Sequence, residues 1–249
     1  MSSTPATEQV VKGSGTSSFL ILYRLLLRLQ VTPLRIIGIL ALASLAVLLG
    51  ALARSDDDPL RATTEIALGY GLGIVVPLAT AWLATSSVGD LVEDRLLVYL
   101  WLKPVPRWQL PAAAALATVT IVVPLVALPL VVAAIVAGAS ELIGALLLAC
   151  VLATFAYAGV FVAVGLWLRR ALWWCLLYIL VWENGLARAV HGAARLSIAS
   201  YAQSIVAHAA DVSISYADRP TGVSVVVPVV IGAAGLAVAV IRYRRAEID

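Results

Sequence analysis

The chain is short of nearly everything from which a water-facing surface is made. Of its 249 residues only 12% are charged, about half the share usual in soluble domains. Lysine occurs at Lys12 and Lys103 alone, histidine at His191 and His208, and cysteine at Cys150 and Cys175. Each shortage closes a class of function. The two lysines stand in no Gly-x-x-x-x-Gly-Lys-Ser/Thr run, so the chain has no phosphate loop for ATP. The histidines and cysteines lie far apart and no acidic residue repeats at ligand spacing, so no metal site is expected. Both cysteines fall within apolar runs at different depths and read as small apolar fillers, not a disulfide. There is no His-Glu-x-x-His, no Gly-x-Ser-x-Gly and no pair of intramembrane aspartates, which leaves hydrolysis within the membrane without candidate machinery. No series of buried carboxylates offers proton or sodium coupling.

What the chain does have is apolar length: 62% of residues are hydrophobic and the mean hydropathy is +1.01. A hydrocarbon core about 30 Å thick takes about 20 apolar residues per helical crossing. Six runs qualify, at 34–53, 66–88, 112–139, 142–168, 171–187 and 221–241. None alternates polar with apolar as a transmembrane β-strand does. The expected fold is all-α, a polytopic membrane protein with six transmembrane helices, an N-terminal interfacial helix over 19–30 and an external helical segment over 188–218. Residues 1–18, rich in Ser, Thr and Gly and without the order of a cleaved signal peptide, read as a disordered cytoplasmic tail before a single transmembrane domain, 19–249. The net charge of +3 reflects topology and not nucleic-acid binding. With both ends in the cytoplasm, twelve of the seventeen basic residues fall inside, as the positive-inside rule requires.

Along the chain, Arg24 and Arg28 give the helix over 19–30 a narrow basic stripe suited to a leaflet surface. Asp56, Asp57 and Asp58 read as a solvated turn. Gly69 and Gly73, flanking Tyr70, have the small-xxx-small spacing that lets membrane helices approach closely. Thr80, Thr85, Ser86 and Ser87 either line a pathway, with Tyr70, or bond back to their own helix. Pro124 and Pro129 each remove a backbone hydrogen bond and predict a kinked or broken third span. Glu183 and Asn184 stand near the outer end of the fifth. An ionisable residue at membrane depth is a functional candidate; the alternative is that the span stops near Trp182 and Glu183 meets water or pairs with Arg188. Arg188, His191 and Arg195 recur on one face, predicting short amphipathic helices in the outer leaflet.

Between the second and third runs lies a charged, aromatic-rich segment, 89–111. Asp90, Glu93 and Asp94 suit the first turn of a helix, Leu91, Leu96, Leu97 and Leu100 recur at helical spacing, and Pro104 and Pro106 end it. Such a helix, with a Tyr99/Trp101 face, is built to dock in a groove. Glu93-Asp-Arg95, Tyr99-Leu100 and Pro104-Val-Pro-Arg107 resemble the acidic residue, Tyr-Leu and Pro-x-x-Arg pattern of the ABC-2 family of ABC transporter permeases, although Leu96-Leu97 replace that family's Gly-Thr pair. The interfacial helix, six spans and a long outer segment before the last extend the similarity over nearly the whole chain. The resemblance implies a coupling helix, with Asp90, Glu93, Asp94, Arg95, Tyr99, Leu100, Pro104 and Arg107 meeting a cytoplasmic ATPase subunit. It implies two copies of that subunit, which would bind ATP and Mg, and a second permease chain, identical or related, in the cell membrane. On this reading the chain is no enzyme and carries no cofactor. Export of a hydrophobic or amphipathic substrate such as a lipid, drug or peptide is the expected function. An ion-coupled secondary transporter and a non-transporting assembly subunit are the alternatives.

Overall fold

The computed structural model describes residues 15–93, 106–187, 193–212 and 219–245. All regular structure among them is helical. Helix α1 (Gly15–Gln30) leads into α2 (Pro33–Ala53). After a turn, Asp58 caps α3 (Pro59–Ile66) by accepting from the Arg61 amide at 3.1 Å, with Pro59 in the first helical position where its missing N–H costs nothing. A π-helical segment (Ala67–Val75) then joins α3 to α4 (Val76–Glu93) without a break. The long α5 (Gln109–Ala137) ends at Gly138, whose left-handed backbone (φ +85°) glycine takes freely. A 3-10 turn (Ser140–Leu142) opens α6 (Ile143–Trp167). Then come α7 (Ala171–Leu177), a second π-helical segment (Tyr178–Leu186), a 3-10 turn (Ala193–Leu196), α8 (Ile198–Ala209) and α9 (Thr221–Arg245).

Five helical stretches are long and apolar enough to cross a membrane: Pro33–Ala53, Pro59–Gly89, Gln109–Ala137, Ser140–Trp167 and Thr221–Arg244. The chain thus has the make-up of a multi-pass membrane protein. The expected fifth crossing is short, with seven α-helical residues and nine in π register. At about 1.5 Å per residue or less this falls below a 30 Å core. The second and fourth stretches form the interior, 67% and 61% buried, whereas the first and last are 28% buried and turn Leu34, Ile37, Leu48, Val226 and Val230 outward. Prolines do not break α5: the helix runs through Pro124 and Pro129, because only one backbone bond is lost at each and an interrupted ladder is expensive in lipid.

Close approach is made by glycine, though not at Gly69 of the pair the spacing picks out. A Cβ on Gly69 would meet nothing within 4 Å, whereas one on Gly71 would lie 2.7 Å from Leu130. Spacing identifies residues that share a face, not which face meets a neighbour. The tightest crossing joins α6 to α9, where Gly159 and Gly235 pack backbone to backbone and a Cβ on Gly232 would come 2.6 Å from the Phe155 ring. Helix α1 packs along α5 through buried Leu22, Leu26 and Gln30. Tyr23 donates to Thr120 at 3.0 Å and Gln30 to Thr118 at 3.2 Å, leaving Arg24 and Arg28 outward among exposed Leu20, Leu25 and Leu29.

Helix α8 does not lie on the surface with an apolar underside. Every residue from Ile198 to Ala207 is buried, against α6, α9, the first π segment and the 140–142 turn. The Ser204 hydroxyl donates to the Arg219 carbonyl at 3.2 Å, so α9 starts at the end of the bundle where α6 also starts. The chain between Trp167 and Thr221 therefore returns from one end of the bundle to the other.

Candidate functional site

The strongest polar constellation in this apolar body gathers around Glu183. The residue is 3% exposed, in the second π segment. In π register residues five apart stack, which sets Tyr178 over Glu183; the phenol donates to Oε1 at 2.9 Å. The same carboxylate sits at the N-terminus of α8. Oε1 accepts from the Ile198 amide at 3.0 Å and Oε2 from the Ala199 amide at 3.4 Å, while the Ser197 hydroxyl donates to Oε2. Ser197 in turn caps α8, its Oγ accepting from the Ser200 amide at 3.2 Å. A helix start presents unsatisfied N–H groups and the positive end of the macrodipole, so a carboxylate there replaces lost water with fixed donors. Neither water nor Arg188, which lies outside the described residues, is needed to explain it.

Neighbouring groups hold this arrangement. The Tyr157 hydroxyl, fully buried, faces Glu183 from α6. Its ring stacks on Phe161, which meets Tyr178 edge to face. Arg219 donates to the Ser200 hydroxyl at 2.8 Å and lies 4.1 Å over the Tyr201 ring. Burial pulls its pKa below the ordinary arginine value, the direction desolvation imposes on a cation.

Two side-chain amides then tie both π segments and α8 together. The Asn184 amide donates to the Gly73 carbonyl at 3.1 Å and to the Ile179 carbonyl at 2.9 Å. The Gln203 amide donates from α8 to the Leu68 carbonyl at 2.8 Å. Both acceptors, Gly73 and Leu68, belong to the first π segment, so the irregular stretch of the second crossing is stitched to 178–186 and to α8. The Tyr70 hydroxyl donates to the Leu42 carbonyl and secures the same stretch to α2.

The remaining sequence candidates separate. Thr80 and Thr85 bond back to the carbonyls of Val76 and Ala81, each at 2.7 Å; Thr80 is sealed in the core, whereas Thr85 also lines a cavity of about 570 Å³ with Arg169 and Arg170. Pro124 and Pro129 lie within α5. In the 89–111 segment, the backbone of Asp90 and Glu93 continues α4, and Arg107 is exposed just before α5; Asp94, Arg95, Tyr99, Leu100 and Pro104 lie outside the described residues. Among the described residues no three of His, Cys, Asp and Glu come together as metal ligands would.

Sequence reasoning reached Glu183 and Asn184 but missed Tyr178, Ser197, Ser200, Gln203 and Arg219. Ser197 ahead of an apolar helix is a readable cap; that its helix start receives Glu183 depends on the tertiary fold. Compared with known proteins, the chain matches no family model and no curated protein sequence.

Proposed function

We propose that this chain is the membrane-spanning subunit of an ATP-driven exporter of the ABC-2 type, moving a hydrophobic or amphipathic substrate across the cell membrane by alternating access. The observation that carries the reading is the acidic, Tyr-Leu and Pro-x-x-Arg succession of residues 89–111, interposed between two apolar helices. With no phosphate loop of its own, the chain would draw work from two copies of a cytoplasmic ATPase subunit, which bind ATP and Mg. It would pair with a second permease chain around the pathway. Residues 171–187 would supply the fifth of six crossings, since the chain must return between the end of α6 and the start of α9. Both termini would then face the cytoplasm.

The geometry supports a route for the motion. A push on the 89–111 segment would act on α4, which continues without interruption into the first π segment. From there the Asn184 and Gln203 amides lead to 178–186 and to α8. The second crossing, the fifth and α8 would move as one body, while the back-bonded hydroxyls of Thr80 and Thr85 keep α4 from exposing unsatisfied donors. The test is affinity purification in mild detergent from the native cell. An ATPase subunit is expected to co-purify with the wild-type chain and to be lost when the charges of Glu93 and Arg95 are reversed; absence of an ATPase from the wild-type preparation overturns the reading.

A further inference from the structure

Among the described residues, helix α2 packs along α5 but has no extended contact with α4 or α7. The gap it leaves is a cleft of about 270 Å³. Each helix lines it with residues four apart: Gly38 and Leu42 from α2, Leu78 and Trp82 from α4, Leu172 and Leu176 from α7. The cleft is therefore about one helical turn tall, or about 6 Å. Apart from the Trp82 indole N–H, its lining carries no polar side-chain atom. That ring reaches across to α2, where a Cβ on Gly38 would stand 3.0 Å from its edge.

The cleft is continuous with the surface that the molecule turns outward. On α2 the ridge of Gly38 and Leu42 runs on to Leu34 and Leu45, both exposed. On α7 Trp173 and Leu177, each next to a lining leucine, are exposed as well. In a chain with the make-up of a multi-pass membrane protein, such a surface faces hydrocarbon. Leu42 lies nine residues past Pro33, the start of α2, or about 14 Å along the axis. Half of a hydrocarbon core is about 15 Å, so the cleft belongs to one leaflet.

We propose that this cleft holds one alkyl chain of a membrane amphiphile, drawn from the leaflet at the end of the bundle where α2 begins. Water does not suit it, because a buried water makes about three hydrogen bonds and the lining offers one side-chain donor. A helix of another chain does not suit it either, since helices pack ridge into groove along their length and this cleft spans one turn. Left vacant, its walls would forfeit dispersion contacts. A slim linear chain restores them, and the bilayer supplies it. Selection is by shape, so the headgroup and its charge are immaterial. The occupant touches α4, within the second crossing that is 67% buried, and so brings lipid against an interior helix. The inference rests on the multi-pass make-up and not on the transport reading.

The experiment reconstitutes the full chain into phosphatidylcholine vesicles containing a phosphatidylcholine with a photoreactive diazirine on one acyl chain. After irradiation, adducts are mapped by digestion and mass spectrometry. Labelling is expected at Leu78 and Trp82 of α4, alongside the exposed Val226 and Val230 of α9. Leu176→Trp, which fills the cleft from its α7 side, lowers α4 labelling about tenfold and leaves α9 labelling unchanged. Ala79→Leu does the same from the α4 side should the first variant fail to fold. A phosphatidylglycerol probe with the same diazirine chain is expected to label α4 equally. Labelling of α9 with none on α4 overturns the proposal and leaves the cleft to protein, such as a second copy of this chain. Indifference of α4 labelling to both filling variants overturns it, as does strong preference for one headgroup.

Discussion

A carboxylate 3% exposed within an apolar bundle must recover the hydration it loses, and Glu183 does so with donors alone. One phenol, one hydroxyl and two backbone amides converge on it. Glu183→Ala strands all four donors in a buried site, and a cost of about 2–4 kcal/mol is expected. Glu183→Gln keeps an acceptor oxygen but turns an NH₂ toward donors, so its cost is smaller. Thermal unfolding in detergent, followed by circular dichroism, checks the order wild type, Gln, Ala; an Ala variant as stable as wild type would show the carboxylate to be dispensable. At this scale the sequence was half legible. Glu183 stood out because ionisable residues are rare in apolar runs, but its partners are backbone amides 15 and 16 positions on, and every residue has such amides.

At the scale of elements, the crossing of α6 and α9 depends on having no side chain at Gly159 and Gly235. A Cβ on Gly235 would lie 2.6 Å from the Gly159 carbonyl carbon. Gly235→Ala is expected to cost about 1–3 kcal/mol by overpacking. Gly69→Ala, with nothing within 4 Å, is expected to be neutral or to stabilise by up to about 1 kcal/mol through helix propensity. Parallel melting curves of the two variants settle the contrast, and equal losses would refute the assignment of the tight contact. Removing Gln203 or Asn184 loosens a different joint. Gln203→Leu leaves the Leu68 carbonyl without its donor, and about 1–2 kcal/mol is the expected loss. Faster amide exchange confined to Ala67–Val75 and α8 would mark that joint, whereas uniform exchange would not. Glycine spacing was visible in the sequence. The π register was not, and it is held by Tyr178, Asn184 and Gln203 through partners distant in the chain or five residues along it.

For the whole molecule, the proposed six crossings and cytoplasmic termini make a claim about sides. Cysteine introduced at Ser55 or Ser140 is expected to react with an impermeant maleimide on intact cells. Cysteine at Leu168 is expected to react only after permeabilisation. Background should be low because native Cys150 and Cys175 are buried. Labelling of Leu168→Cys together with Ser55→Cys on intact cells would abolish the six-span topology.

Composition and the length of apolar runs determined, unaided, that this chain is helical and multi-pass. The cost of placing an unpaired peptide group in hydrocarbon is incurred residue by residue, so it is written locally wherever the chain is apolar for long enough. The same argument read 188–218 as helices on the membrane surface, and there local reasoning ended, since Ile198–Ala207 are buried. Whether α8 faces lipid or fills the bundle turns on Glu183 at its start, Gln203 on its flank and Arg219 beyond its end. These contacts join parts of the chain from 15 to 135 positions apart. Only the packed structure decided them, because a buried polar group is stable only when all of its partners arrive together.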